Sequence, residues 1–154
     1  TSRENIENTF RELIGMGIIP VVNENDTVGT DELSGQHIGD NDTLSAIVAT
    51  SVHADLLVLL SDIDGLYTAD PHKDPDAACI ELVPEITDEI LRLADGKGSE
   101  LGTGGMKTKL SAAKIVTKAG TDMIIANGAE VEKLYALLDG KSIGTRFLGR
   151  KASV

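Results

Sequence analysis

Apolar residues follow two patterns along this chain, and the pattern changes from one segment to the next. In some segments they are continuous and rich in Val, Ile and Leu, as in buried β-strands. These predicted strands are residues 18–22, 56–60 and 123–126. In other segments they recur every three or four residues, as on one face of an α-helix. These predicted helices are residues 6–14, 44–48, 90–93, 110–119 and 131–138, the first of them ended by Gly15 and Gly17.

The alternation of the two patterns predicts the fold class. Continuous apolar strands separated by amphipathic helices indicate an α/β protein, a three-layer αβα sandwich with a mainly parallel sheet covered on both faces. The chain opens with a helix that leads into a strand, whereas a doubly wound domain more often opens with its central strand. We therefore expect this sheet to be part of a larger one.

Composition narrows the class of protein further. The chain has 154 residues, which suits one domain, and its aromatic content is only 3%, so Val, Ile, Leu and Ala must build the core. A net charge of −11 argues against binding to nucleic acid or to an anionic membrane. The single Cys79 and the scattered histidines form no metal-ligand pattern, and no apolar run is long enough to span a bilayer. We expect a cytoplasmic location.

A glycine-rich segment at residues 102–109, with the sequence GTGGMKTK, precedes the predicted helix at 110–119. Read as a turn, it places Lys107 and Lys109 at the helix start, where the macrodipole disfavours positive charge. A bound phosphate would resolve this conflict, since N–H groups, dipole and lysines would share one anion. A flexible connection is the alternative interpretation. The spacing matches neither the Walker nor the Rossmann phosphate motif.

Polar residues collect directly after the predicted strands or at the start of the next helix. In a parallel sheet these positions share one edge, where ligands bind. Each group alone is also typical of turns and helix N-caps, and Asp70-Pro71 is an ordinary turn signal. Asp62 and Asp64 lack the spacing of a calcium-binding EF-hand. The polar groups are residues 23–27, 39–43, 61–65 and 127–128.

Four motifs in this order resemble those of the amino acid kinase family, and within it the group of glutamate 5-kinases. The motifs are IIPVVNEND at 18–26, GDND at 39–42, LSDIDGLYTADP at 60–71 and GTGGMKTK at 102–109. The resemblance implies ATP-dependent phosphorylation of the side-chain carboxylate of L-glutamate, the first step of proline biosynthesis. It implies ATP and Mg²⁺ as cofactors, and we expect a homo-oligomer.

The resemblance also implies roles for individual residues. Lys109 would stabilise the transferring phosphoryl group, and Asp42 would be the carboxylate that positions the catalytic lysines. The implied glutamate contacts are Asn23, Asp26, Asp40 and Asn41. The implied nucleotide contacts are Ser61, Asp62, Tyr67, Asp70, Pro71, Thr103, Gly104, Gly105, Met106, Lys107, Thr108 and Lys109.

The resemblance implies that residues 1–154 are the C-terminal portion of one amino acid kinase domain. Glutamate-binding loops would occupy about 18–43, and the ATP-binding part about 55–148. A first strand and a second catalytic lysine are expected to lie outside this sequence, so that the chain alone binds nucleotide weakly and turns over slowly or not at all. The loop at 27–38 is longer than the usual bacterial spacing between the two glutamate-binding motifs. The alternatives are a related kinase with another substrate, a nucleotide-binding module without turnover, and an oligomerisation unit.

Overall fold

The computed structural model describes residues 2–23, 41–94 and 103–150. Two helices and a strand come first among the described elements. They are followed by a strand, two helices, a strand, a helix and a last strand. The helices are α1 (Ser2–Gly15), α2 (Asn41–Ser51), α3 (Asp88–Ala94), α4 (Thr103–Lys118) and α5 (Lys133–Leu138). The strands are β1 (Leu56–Ser61), β2 (Leu82–Val83), β3 (Asp122–Asn127) and β4 (Thr145–Phe147). None of the described helices is both long and apolar enough to cross a membrane.

The described strands form one sheet in the order β1-β3-β4-β2. Strand β1 runs parallel to β3, with Leu56 opposite Asp122 and Ser61 opposite Asn127. Strand β4 is antiparallel to β3 and parallel to β2. The expectation of a mainly parallel sheet is confirmed, because two of the three pairings are parallel. Strand β2 was not predicted, since two residues are too short to show a periodicity.

Alternate residues of β3 face opposite layers, as the pleat of a strand requires. Met123 and Ile125 belong to the larger core cluster, which includes side chains of α2, α3 and α4. Ile124 and Ala126 pack on the other face, with Leu137 of α5. The three-layer prediction is therefore confirmed. Among the described residues, Phe147 is the one aromatic side chain in the buried core, as the low aromatic content predicts.

The predicted strand at 18–22 is wrong, because these residues form no regular element. Ile19 is 87% exposed and Val21 is 93% exposed. A strand needs a neighbour that takes up its backbone hydrogen bonds, and Pro20 lacks an N–H to donate. Ile19 and Val21 therefore stay outside both core clusters of the described residues.

The predicted end of α1 near Gly17 is confirmed. Gly17 adopts a left-handed conformation with φ of 73°. Its N–H donates to the carbonyl of Ile14 at 2.9 Å, and the N–H of Ile18 donates to that of Leu13 at 3.0 Å. These two bonds form a Schellman motif, the common glycine-dependent helix end. Glycine at this position turns the chain away from the helix axis and into the exposed apolar segment.

Two predicted helix boundaries are corrected by the structure. Helix α4 begins at Thr103, so most of the segment read as a glycine-rich turn is already helical. The first helical turn has free N–H groups in any sequence, so Gly104 and Gly105 cost less there than in the middle of a helix. Helix α5 begins at Lys133, two residues later than predicted, after a turn at 131–132.

Candidate active site

The N-terminal parts of α2 and α4 bring together a charged pair. The ammonium Nζ of Lys109 lies 2.9 Å from Oδ2 of Asp42, and the two side chains are only 14% and 17% exposed. The hydroxyl of Thr108 donates to the same carboxylate oxygen at 2.8 Å. One oxygen of Asp42 thus holds two consecutive residues of α4, and charge-assisted bonds of this kind are the stronger class.

Small side chains allow α2 and α4 to pack closely enough for this pair. Ala46 and Ala49 of α2 share the larger core cluster with Leu110 and Ala113 of α4. Ala46 and Ala113 are both 0% exposed. The small alanine side chains let the helices approach closely, and groups near their N-termini come within hydrogen-bond distance.

Charge placement differs at the two helix starts. Asp42 lies in the first turn of α2, where a negative charge is favoured by the helix dipole. Lys109 is not in the first turn of α4, because that helix begins at Thr103. The helix starts earlier than predicted, so the predicted conflict between the two lysines and the first helical turn is wrong. Lys107 is exposed, whereas Lys109 points to Asp42.

A second polar cluster forms where β1 and β3 end. Ser61 donates its hydroxyl to Oδ1 of Asp62 at 3.1 Å. Asn127 donates from Nδ2 to Oδ1 of Asp64 at 2.9 Å, and Tyr67 donates its hydroxyl to the other oxygen of Asp64 at 3.2 Å. Residues at the ends of two different strands, and in the loop after the first of them, are thereby joined at one edge of the sheet, as predicted for these segments.

The phenol of Tyr67 is perturbed by this cluster. Desolvation raises its pKa above the ordinary value, and the hydrogen bond and negative charge of Asp64 raise it further. Each of these effects disfavours the phenolate. Tyr67 therefore stays neutral and remains a hydrogen-bond donor at the strand ends.

The chain between β1 and β2 folds back on itself as an irregular hairpin. Leu66 donates its N–H to the buried hydroxyl of Thr145 at 2.8 Å, and its carbonyl accepts from Ile80 at 2.7 Å. At the tip, the carboxylate of Asp70 accepts the N–H of His72 at 3.0 Å. Pro71 follows in that turn. Asp70 and Pro71 thus occupy the turn that their sequence indicates, at the end of the hairpin that begins near Tyr67.

Two predicted glutamate contacts, Asn23 and Asn41, line one cleft of about 550 Å³. The cleft lies between α1 and α2, and Leu57 of β1 also lines it. Its lining is largely apolar, with amide groups contributed by the two asparagines. Asp26 and Asp40, the other two predicted contacts, lie outside the described residues.

The remaining predicted phosphate contacts all lie on α4. Thr103 and Gly104 open the helix, Gly105 is exposed, and a side chain at Gly105 would meet open space. Met106 packs against the larger core cluster. Across residues 2–23, 41–94 and 103–150, no group of three His, Cys, Asp or Glu side chains is arranged to hold a metal ion.

Sequence reasoning missed two structural links. It placed Asn127 and Asp64 at the same edge of the sheet but did not predict their hydrogen bond. It gave no role to Thr145, whose buried hydroxyl fixes Leu66 across 79 residues of chain. No local pattern signals such a distant contact. For the first link, the available signal was that Asp64 and Asn127 both stand just after predicted strands.

Comparison with known proteins gives the family. The model of the amino acid kinase family matches residues 1–127. The chain belongs to the amino acid kinase family. Curated relatives named glutamate 5-kinase include that of Clostridium perfringens, 53% identical over 150 residues, and that of Listeria monocytogenes, 52% identical over 153 residues. Both matches cover 97% of this chain, and 56% and 55% of the relatives. This amino acid kinase chain thus spans about half the length of the curated relatives it matches.

Solved structures of other kinases share the fold. UMP kinase from Ureaplasma parvum matches with a TM-score of 0.62 and 16% identity, over 92% of this chain and 52% of that one. Carbamate kinase from Giardia lamblia bound to AMP-PNP matches with a TM-score of 0.53 and 25% identity, over 72% of this chain and 36% of that one. Both likenesses support the fold, and the first, at 16% identity, supports nothing beyond it.

Proposed function

We propose that this chain is the part of a glutamate 5-kinase that carries the nucleotide side of the active site. The reaction is transfer of the γ-phosphoryl group of ATP to the side-chain carboxylate of L-glutamate, giving L-glutamyl 5-phosphate for proline biosynthesis. The relatives that are 53% and 52% identical to this chain are named glutamate 5-kinase. The observation that carries the proposal is the ion pair of Lys109 and Asp42 beside the glycine-containing start of α4.

Phosphoryl transfer to a carboxylate needs charge neutralisation more than a base. The carboxylate is already a nucleophile, but it must approach a phosphate that is also anionic. Lys109 supplies a positive charge, and its bond to Asp42 holds the ammonium in place before substrates bind. The N–H groups of the first turn of α4 supply further donors for phosphate oxygens.

The nucleotide is proposed to lie along the ends of β1 and β3. Ser61, Asp62 and Tyr67 are grouped there, and the hairpin tip with Asp70 and Pro71 extends the same polar surface. Mg²⁺ in kinases takes one or two carboxylates together with phosphate oxygens and water. The exposed carboxylate of Asp62 fits that requirement and would hold the ion that neutralises the phosphates.

Glutamate is proposed to bind at the cleft between α1 and α2. Asn23 and Asn41 line it and could orient the amino acid by hydrogen bonds. The α-ammonium group of the substrate needs an acidic partner, a role proposed for Asp26 or Asp40. ATP and glutamate are abundant inside cells, so we infer a cytoplasmic location.

A chimaeric enzyme tests the proposal directly. This chain replaces the matching part of the glutamate 5-kinase of Clostridium perfringens, with which it shares 53% identity. We expect ATP-dependent formation of glutamyl hydroxamate from glutamate and hydroxylamine. Aspartate, acetylglutamate, UMP and carbamate are assayed in parallel by ADP release. A well-folded chimaera that prefers one of these alternatives would overturn the assignment of glutamate.

A further inference from the structure

Asp64 lies in the loop after β1, and it is linked to Asn127, the last residue of β3. Strands β1 and β3 stop in register, with Ser61 opposite Asn127. The N–H of Gly128 still donates to the carbonyl of Ser61 at 2.8 Å. Beyond this level, the described contact between the two chain segments is the bond of Asn127 to Asp64 at 2.9 Å.

Asn127 is held in one orientation by bonds at both ends of its amide. Its Nδ2 donates to Asp64, and its Oδ1 accepts the N–H of Ala129 at 2.9 Å. A flipped amide would point two donors at the Ala129 N–H and an acceptor at a carboxylate. The side chain therefore has one favourable orientation, and it offers Asp64 a fixed donor.

Asp64 passes this restraint to the hairpin. One of its oxygens accepts from Asn127 and the other accepts from Tyr67, so the carboxylate bridges β3 to the hairpin. The next residue, Gly65, is buried, and a Cβ there would lie 2.5 Å from Oγ1 of Thr145. The loop is thus fixed on one side by close packing and on the other side by Asp64.

We infer that the Asp64–Asn127 pair is a positioning element that sets the geometry of the nucleotide-side residues Asp62 and Tyr67. This inference rests on the proposed function, because it assigns these two residues to a nucleotide. Asp64 is exposed, and the pair buries little apolar surface. Its loss should therefore change nucleotide affinity more than the stability of the fold.

The test measures the affinity of the 154-residue chain for Mg·ADP by NMR titration, which tolerates weak binding. Asn127→Ala breaks the link without adding charge, and Asn127→Asp places two carboxylates against each other. We expect both to raise the Kd about tenfold, the effect of losing a hydrogen bond to a charged group. The double variant Asp64→Asn with Asn127→Asp restores a donor–acceptor pair in reverse and should return the Kd to within about twofold.

Controls separate positioning from general damage. Asp76→Asn removes an exposed carboxylate from the same hairpin and should leave the Kd unchanged. Unfolding midpoints are measured for every variant, and those of Asn127→Ala and the double variant should lie close together. Equal affinities in all variants would overturn the inference and leave the proposed function intact. No Mg·ADP binding by the unsubstituted chain would overturn both the nucleotide assignment and the inference that depends on it.

Discussion

Asp42 holds two neighbouring groups of α4 through one carboxylate oxygen. Lys109 and Thr108 both donate to Oδ2, at 2.9 and 2.8 Å. Thr108 also lies within hydrogen-bond distance of the carbonyl of Gly105, at 2.8 Å. A hydroxyl with two acceptors can exchange one for the other. Thr108 therefore connects the charged pair to the backbone of the first turn of α4, where phosphate is proposed to bind.

Tyr67 gives a prediction at the residue scale that needs no ligand. Its pKa is raised first by desolvation and then by Asp64. Asp64→Asn removes the negative charge but leaves the desolvation, so the pKa of Tyr67 should fall part of the way toward its ordinary value. The phenolate absorbance is followed during a pH titration, and Tyr135→Phe assigns the signal. An unchanged or higher pKa would contradict the contact between Tyr67 and Asp64.

Helix α4 connects the charged pair to the proposed phosphate site. Its buried face, which includes Leu110, Ala113 and Val116, fixes its position in the core. Its opening turn carries Gly104 and Gly105 without a described close neighbour at Gly105. A helix start without side chains is open to the backbone N–H groups, and this access is what a phosphate requires.

Gly105→Ala separates stability from nucleotide binding. Alanine is the better helix former, so we expect stabilisation of up to about 1 kcal/mol in chemical denaturation. The added methyl group stands at the proposed phosphate site, so affinity for Mg·ADP should fall. Gly15→Ala is the matched control, because its added Cβ also meets no neighbour, and it should not affect the nucleotide. Unchanged nucleotide affinity in Gly105→Ala would place the phosphates elsewhere.

Sequence periodicity predicted the interior elements well and their limits less well. Strands 56–60 and 123–126 were predicted because they are continuous apolar runs, the second of them buried and the first partly buried in the sheet. The run at 18–22 has the same composition but is exposed, since burial depends on neighbours that a local pattern does not contain. The helical state of Gly104 and Gly105 was missed because glycine propensity was overridden by the packing of the rest of α4.

The parts of the candidate site that lie in recognisable sequence motifs could be predicted. Asp42 and Lys109 are 67 residues apart in the chain, but the segments that contain them were both singled out by their motifs. The family follows from the comparisons, and the individual site roles remain predictions. The bridge from Asn127 to Asp64 depends on side-chain geometry at two strand ends, and sequence reasoning cannot fix that geometry.

At the scale of the whole molecule, exposed apolar residues are concentrated between α1 and residue 23. Met16 is 71% exposed, Ile19 is 87% exposed and Val21 is 93% exposed. Strand β1 lies at one edge of the described sheet. Contiguous apolar surface beside a strand edge is a site of association. The net charge of −11 opposes association between copies, so apolar contact would have to outweigh it.

We predict that the 154-residue chain self-associates through this surface. Ile19→Lys should weaken the association, although it lowers the net negative charge and thus the repulsion between copies. Val131→Lys makes the same charge change at another exposed position and should not weaken it. Sedimentation velocity over a range of concentrations gives the stoichiometry. A monomer at all concentrations, or an equal effect of both substitutions, would contradict the prediction.

The most direct test of the central claim is the effect of Lys109→Ala on phosphoryl transfer in the chimaeric enzyme. Lys114→Ala, an exposed lysine on the same helix, is the matched control. If Lys109 stabilises the transferring group, kcat for glutamyl hydroxamate formation should fall about 100-fold or more, as when a preorganised transition-state donor is removed. The Lys114 variant should retain full activity. A Lys109→Ala chimaera that folds and keeps the kcat of the parent would show that the ion pair with Asp42 is structural and that the active-site assignment is wrong.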